Sequence, residues 1–253
     1  MKTILVTGAT SGFGKAIAEK FAAEKWNIII TGRRQDRLQS LKSELISNYG
    51  IEVLDLCFDV RDLNQVEKNL GALPEKFAKV DVLVNNAGLA LGLNTIDEGN
   101  ISDWEQMIDT NIKGLLYVTR VISPGMKERK SGHIINIGST AGKEAYKNGN
   151  VYCATKHAVE AITKGSRIDL LPFNIKVTSV CPGMAETEFS EVRFKGDATR
   201  AHSVYEGFEP LHPEDIAEVV YFAATRPAHV CLNDIILTPT AQANSFYVER
   251  NNS

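Results

Sequence analysis

The chain has 253 residues, 43% hydrophobic and 23% charged, a balance that fits a folded globular protein and excludes a disordered one. Its net charge is -3 and no basic run stands out, which excludes the electrostatic footprint of nucleic-acid binding. No apolar stretch approaches the roughly 20 residues that a membrane helix needs.

No Pro-, Gly- or Ser-rich linker and no internal repeat divides the chain, so residues 1–253 are expected to form a single domain. The first β-branched run, 3–7, begins almost at the amino terminus, so no signal peptide is expected. Cys57, Cys153, Cys181 and Cys231 show no CxxC or other ligand spacing. They read as reduced thiols of a cytoplasmic protein, and no metal site is expected.

After the first strand comes Gly8-Ala9-Thr10-Ser11-Gly12-Phe13-Gly14, followed by helical period over 15–25. Glycines at this spacing let the backbone turn tightly and approach a pyrophosphate, which then faces the positive end of the helix. The second strand, 27–31, runs into Gly32-Arg33-Arg34. An acidic residue near here would hold a ribose 2′-hydroxyl, and this chain has none. Two guanidinium groups suit a 2′-phosphate, so the expected cofactor is NADP. A second helix is predicted over 36–49.

The third strand, 52–56, leads to Asp59-Val60, where an adenine ring could rest or Asp59 could cap a helix. Helical period follows over 62–77, with Asp62 a plausible N-cap. The fourth strand, 81–85, ends in Asn85-Asn86-Ala87-Gly88. Small residues there admit a ligand closely, while the asparagines can tie neighbouring strands. A long helix from about 104 to 129 contains Asn111. Ser139 lies just past the fifth strand, 133–137, and the next helix, 152–171, carries Tyr152 and Lys156.

The sixth strand, 176–180, precedes Pro182-Gly183. Residues 184–212 are polar, mixed and far longer than an ordinary connection, which suggests a substrate lid. Pro213-Glu214-Asp215 opens the last helix, and 234–237 forms the last strand. Alternating elements of this kind predict an α/β, Rossmann-type, doubly wound parallel sheet of seven strands with helices on both faces. Ligands on such sheets bind at the carboxyl ends of the strands, and every motif above falls there.

A Tyr-x-x-x-Lys pair is close to what chance supplies in a chain of this size, so Tyr152 and Lys156 decide nothing alone. Their i, i+4 spacing puts both on one helix face. With Ser139 and Asn111 they supply what hydride transfer to a carbonyl requires. A phenol has a pKa of about 10, which a nearby ammonium would lower. Tyr152 could then exchange a proton with the substrate oxygen, and Ser139 could hold that oxygen. The nicotinamide carries the hydride.

These residues resemble the short-chain dehydrogenase/reductase family over nearly the whole chain. Six motifs stand in its order: 7–14, Asp59, Asn85 to Gly88, Asn111, Ser139 with Tyr152 and Lys156, and Pro182-Gly183 with Thr187. The resemblance implies that Tyr152 is the proton donor and acceptor, and that Lys156 binds the nicotinamide ribose. It implies that Ser139 orients substrate, that Asn111 supports a water relay to Lys156, and that Pro182, Gly183 and Thr187 border the nicotinamide. It also implies a homotetramer acting on a small molecule.

One branch is more similar still, the NADP-dependent 3-hydroxy acid dehydrogenases acting on serine, allo-threonine and 3-hydroxyisobutyrate. The stretches that carry this are 31–34, 85–92, 134–142 and 187–197. In the last, Arg193 and Lys195 could attract a substrate carboxylate. The chain departs from that branch at 143–147 and 198–209. A broad carbonyl or 3-oxoacyl reductase would use the same core residues, with Arg193, Lys195 and Arg200 as a basic patch. A non-enzymatic NADP-binding regulator would not need Ser139, Tyr152 and Lys156 together.

Overall fold

The computed structural model describes residues 1–251. In chain order the elements are β1 (Thr3–Val6), α1 (Gly12–Ala23), β2 (Asn27–Gly32), α2 (Gln35–Tyr49), β3 (Val53–Cys57), α3 (Leu63–Leu70), β4 (Val82–Asn85) and α4 (Ile101–Ile108). There follow α5 (Leu115–Arg129), β5 (Gly132–Ile137), α6 (Asn150–Leu170), β6 (Ile175–Pro182), α7 (Glu188–Arg193), α8 (Ala198–Ser203), α9 (Pro213–Ala224) and β7 (Asp234–Leu237). The seven strands form one sheet in the order β3-β2-β1-β4-β5-β6-β7, and every pair is parallel.

The inner strands are largely apolar because both of their faces are covered, while the edge strands β3 and β7 are only partly buried. Ile4, Val6, Ile28, Ile30 and Val84 pack against α1, α2 and α9. Their neighbours Leu5, Ile29, Leu83 and Ile134 turn the other way, onto α3 and α5. Phe21 of α1 is fully buried and meets Trp26 and Tyr221 edge-on, with centroids 5.0 and 5.3 Å apart. Each such side chain contributes about 1.5–3 kcal/mol by leaving water.

Between β1 and β4 the strand order reverses, which opens a crevice at their carboxyl ends. Asn86 fastens the two sides. Its Nδ2 donates to the carbonyls of Thr7, at 2.9 Å, and Gly8, at 3.1 Å. Asn85 Nδ2 reaches Asn136 Oδ1 and Thr119 Oγ1, both at 2.9 Å.

Three elements differ from expectation. The helix expected over 62–77 stops at Leu70, and a separate 3₁₀ turn spans Glu75–Phe77. Pro74 explains the break, since it cannot donate a helical hydrogen bond and disfavours helix at Leu73. The long helix expected over 104–129 begins at Ile101 and is interrupted by a π-helical turn, Asp109–Gly114. The 184–212 segment contains α7 and α8 and is not loop throughout.

The last turn-rich stretch laces several of these parts together. Gln242 Oε1 accepts from Met184 N at 2.8 Å, and Ser245 N donates to Glu144 Oε2 at 2.9 Å. Asn251 N donates to the Gly207 carbonyl at 2.8 Å, and Arg250 Nη2 to the Val204 carbonyl at 2.9 Å.

Candidate active site

A cleft of about 530 Å³ runs along the carboxyl edge of the sheet. It gathers the residues expected to contact cofactor or substrate except Gly14 and Asn111, which lie just behind its wall, and Lys195 and Arg200, which lie outside it. Gly8 adopts a left-handed conformation at φ 67°, and a Cβ there would sit 2.9 Å from Ala87 Cα. A Cβ on Gly14 would strike the Gly8 carbonyl. Both positions therefore require glycine to let β1, α1 and β4 meet.

Ser11 precedes α1 in extended conformation, and its side chain makes no cap hydrogen bond. The amides of the first helical turn keep their positive end toward the cleft. Beside them lies Arg34. Its Nη2 donates to Thr10 Oγ1 at 2.8 Å and Ser11 Oγ at 2.9 Å, its Nε to Thr10 Oγ1 at 3.1 Å, and its Nη1 to Glu188 at 3.0 Å. Arg33 is more exposed and stands 3.9 Å from Asp59. Asp59 caps no helix: that part is taken by Asp62, which accepts from Gln65 N. Asp59 is instead held bidentately by Arg61, whose Nε donates to Oδ1 and Nη2 to Oδ2. Phosphate-facing amides, two arginines and no acid at the end of β2 fit a phosphorylated dinucleotide.

Ser139 leaves β5 as the cap of a 3₁₀ turn, its Oγ accepting from Ala141 N at 3.1 Å. Tyr152 and Lys156 stand one turn apart on α6, and both are buried. Burial drives the Tyr152 phenol well above its ordinary value, opposed only in part by Ser139 and by the charge of Arg193. Burial also pulls the Lys156 ammonium down, to about 8. Its Nζ turns to the Ile137 carbonyl at 2.8 Å, and desolvation of the phenol dominates.

Asn111 sits in the π turn, a distortion common at functional sites. Both of its amide hydrogens are committed, to the Leu89 carbonyl at 2.8 Å and Thr155 Oγ1 at 3.0 Å. Its Oδ1 accepts from Leu89 N and faces Gly88, whose open side also borders Lys156 Nζ.

Arg193 enters the cleft from α7. Its Nη2 donates to Tyr146 Oη at 2.6 Å, and the guanidinium lies 5.5 and 5.4 Å from the ring centres of Tyr146 and Tyr152. Lys195 is not brought in, since it pairs with Asp103 at 2.9 Å outside the cleft. Arg200 stacks on Phe194, also outside. Tyr146 and Gln242 line the cleft without having been singled out from sequence. Tyr146 lies in the 143–147 stretch already noted as unusual. Gln242 carries no sequence signal of its own.

A phosphate cradle beside a serine, a tyrosine and a lysine defines an oxidoreductase of the Rossmann type. Residues 2–198 match the short chain dehydrogenase family, and the chain belongs to that family. It is 50% identical over 241 residues to the NADP-dependent 3-hydroxy acid dehydrogenase YdfG of Salmonella typhi, covering 95% of this chain and 96% of the other. It is 45% identical over 249 residues to sulfoacetaldehyde reductase 2 of Chromohalobacter salexigens, covering 98% of each. Among solved structures, the closed form of a serine dehydrogenase complexed with NADP+ superposes with a TM-score of 0.92 at 46% identity. That match covers 99% of this chain and 100% of the other.

Proposed function

We propose that this chain is an NADP-dependent dehydrogenase that oxidises the β-hydroxyl of small 3-hydroxy acids and reduces the matching carbonyl. Its single domain carries residues 184–212 as a substrate lid, and it works in the cytoplasm as a homotetramer. The observation that carries the substrate class is Arg193, whose guanidinium packs against the Tyr152 ring.

NADP, when bound, supplies the hydride acceptor. Tyr152 removes the hydroxyl proton during oxidation and returns it during reduction. Ser139 holds the same oxygen and stabilises its charge as the proton leaves. Lys156 and Asn111 position the phenol's side of the cleft, and Lys156 offers its ammonium to the nicotinamide ribose. Pro182, Gly183 and Thr187 border the nicotinamide, while Ser11, Arg33 and Arg34 take the phosphate end. Arg193, steered by Tyr146, binds the substrate carboxylate. In a 3-hydroxy acid the carboxyl carbon lies two bonds from the reacting carbon. In sulfoacetaldehyde the sulfur lies two bonds from the carbonyl carbon, so one anion anchor serves both patterns. When serine is the substrate, the β-keto acid formed can lose carbon dioxide unaided.

The test is NADPH production from NADP+ with L-serine, D-serine, L-allo-threonine, D-threonine and 3-hydroxyisobutyrate. Turnover of at least one acid is expected. No turnover with any acid, alongside reduction of neutral ketones by NADPH, would reject the reading. Arg193→Ala should raise KM for the acid about 10- to 100-fold while leaving NADPH binding unchanged.

A further inference from the structure

Glu188 opens α7 directly after Thr187, and its carboxylate reaches over to the start of α2. Its Oε2 accepts from Arg34 Nη1 at 3.0 Å, and its Oε1 from Arg37 Nη1 at 2.6 Å. The other arms of Arg34 are occupied by the hydroxyls of Thr10 and Ser11, so Nη1 is the arm that meets an anion. A carboxylate across two guanidinium groups presents negative charge and paired acceptor oxygens where a phosphate would. All three side chains are about 40% exposed, which keeps the pairing weak enough to exchange.

We propose that Glu188 is a built-in competitor for the 2′-phosphate of the dinucleotide, and that Arg37 belongs to the same phosphate subsite. The carboxylate and the phosphate cannot both hold these arms. With Glu188 seated, α7 is latched to α2 across the mouth of the cleft. Arrival of a 2′-phosphate displaces the carboxylate and frees the 184–212 segment from that tie. A nucleotide without the 2′-phosphate leaves the latch in place. Glu188 thereby couples cofactor choice to the segment that carries Arg193. This inference rests on the NADP reading above.

The test uses the full chain and two fragments, 2′,5′-ADP and 5′-AMP, with binding followed by titration calorimetry. Wild-type protein should prefer 2′,5′-ADP. Glu188→Gln should tighten 2′,5′-ADP about threefold to tenfold and leave 5′-AMP unchanged. In an Arg34→Ala/Arg37→Ala background the same substitution should change neither. If wild-type protein binds both fragments equally, the NADP reading fails and the latch with it. If it prefers 2′,5′-ADP but Glu188→Gln brings no gain, or weakens it, the latch alone is overturned.

Discussion

Burial acts on Tyr152 and Lys156 together but moves them oppositely, because one is charged when it loses a proton and the other when it keeps it. The phenol therefore holds its proton at neutral pH and is set to donate. For oxidation that proton must first be given up, so kcat/KM for the alcohol should rise between pH 7 and 10. The same ratio for carbonyl reduction should stay level over that interval, because the raised phenol keeps its proton throughout. Tyr152→Phe should abolish turnover in both directions and retain NADPH binding; an active variant would remove the proton-transfer role. Arg33 is loosely held, at 3.9 Å from Asp59, and is free to turn toward a phosphate. Arg33→Ala should weaken NADPH about tenfold and NADH hardly at all, and equal loss for both would defeat that assignment. At this scale the motifs were legible because each is local: glycines in a turn, Ser139 after a strand, Tyr152 and Lys156 one helical turn apart. The Tyr146–Arg193 and Arg37–Glu188 contacts were not, since they join residues 47 and 151 positions apart that only the fold brings together.

Element order and sheet topology were readable from apolar runs and helical period, and β5 shows how much a single strand can still conceal. His133 points inward from β5 with its Nε2 2.7 Å from Thr178 Oγ1 on β6. Burial, reinforced by the charge of Lys176, pulls its pKa from 6.5 to about 3. The unfolded chain protonates near 6.5 while the folded chain does not. The stability linked to this group is therefore fully present above pH 6.5 and is lost as pH falls from there toward 3. Between pH 7 and 5 the loss is about 2 kcal/mol, and His133→Gln should lose correspondingly less in urea titrations at the two pH values. An identical pH response in both proteins would exclude His133 as the cause. The π turn at Asn111 escaped the sequence for a related reason. Helical period persists through it, while the slip in hydrogen-bond register is stabilised by Leu89 and Thr155 from elsewhere.

For the whole molecule, the surface away from the cleft bears on assembly. Leu116, Ile168 and Leu171 are exposed on the α5 and α6 side, and Phe222, Ile236 and Phe246 on the α9 and β7 side. Exposed apolar side chains on both sides are what the proposed assembly of four copies would cover. Sedimentation should give a single species of four chain masses, and Ile168→Glu should reduce it to two. A wild-type monomer would overturn the tetramer proposal. Among the described residues no helix is long and apolar enough to cross a membrane.

The carboxyl-terminal lacing has a practical side for anyone handling this protein. Gln242, Ser245, Arg250 and Asn251 bind the two ends of the segment that bears Arg193, and the loop after Ser139 as well. Met1 stands in solvent at the start of β1, and the cleft lies at the opposite, carboxyl end of that strand. A purification tag belongs at the front of the chain. One joined close behind Asn251 should disturb the contacts that keep substrate-facing parts in register, and a loss of activity in such a fusion would report on the tag before the enzyme.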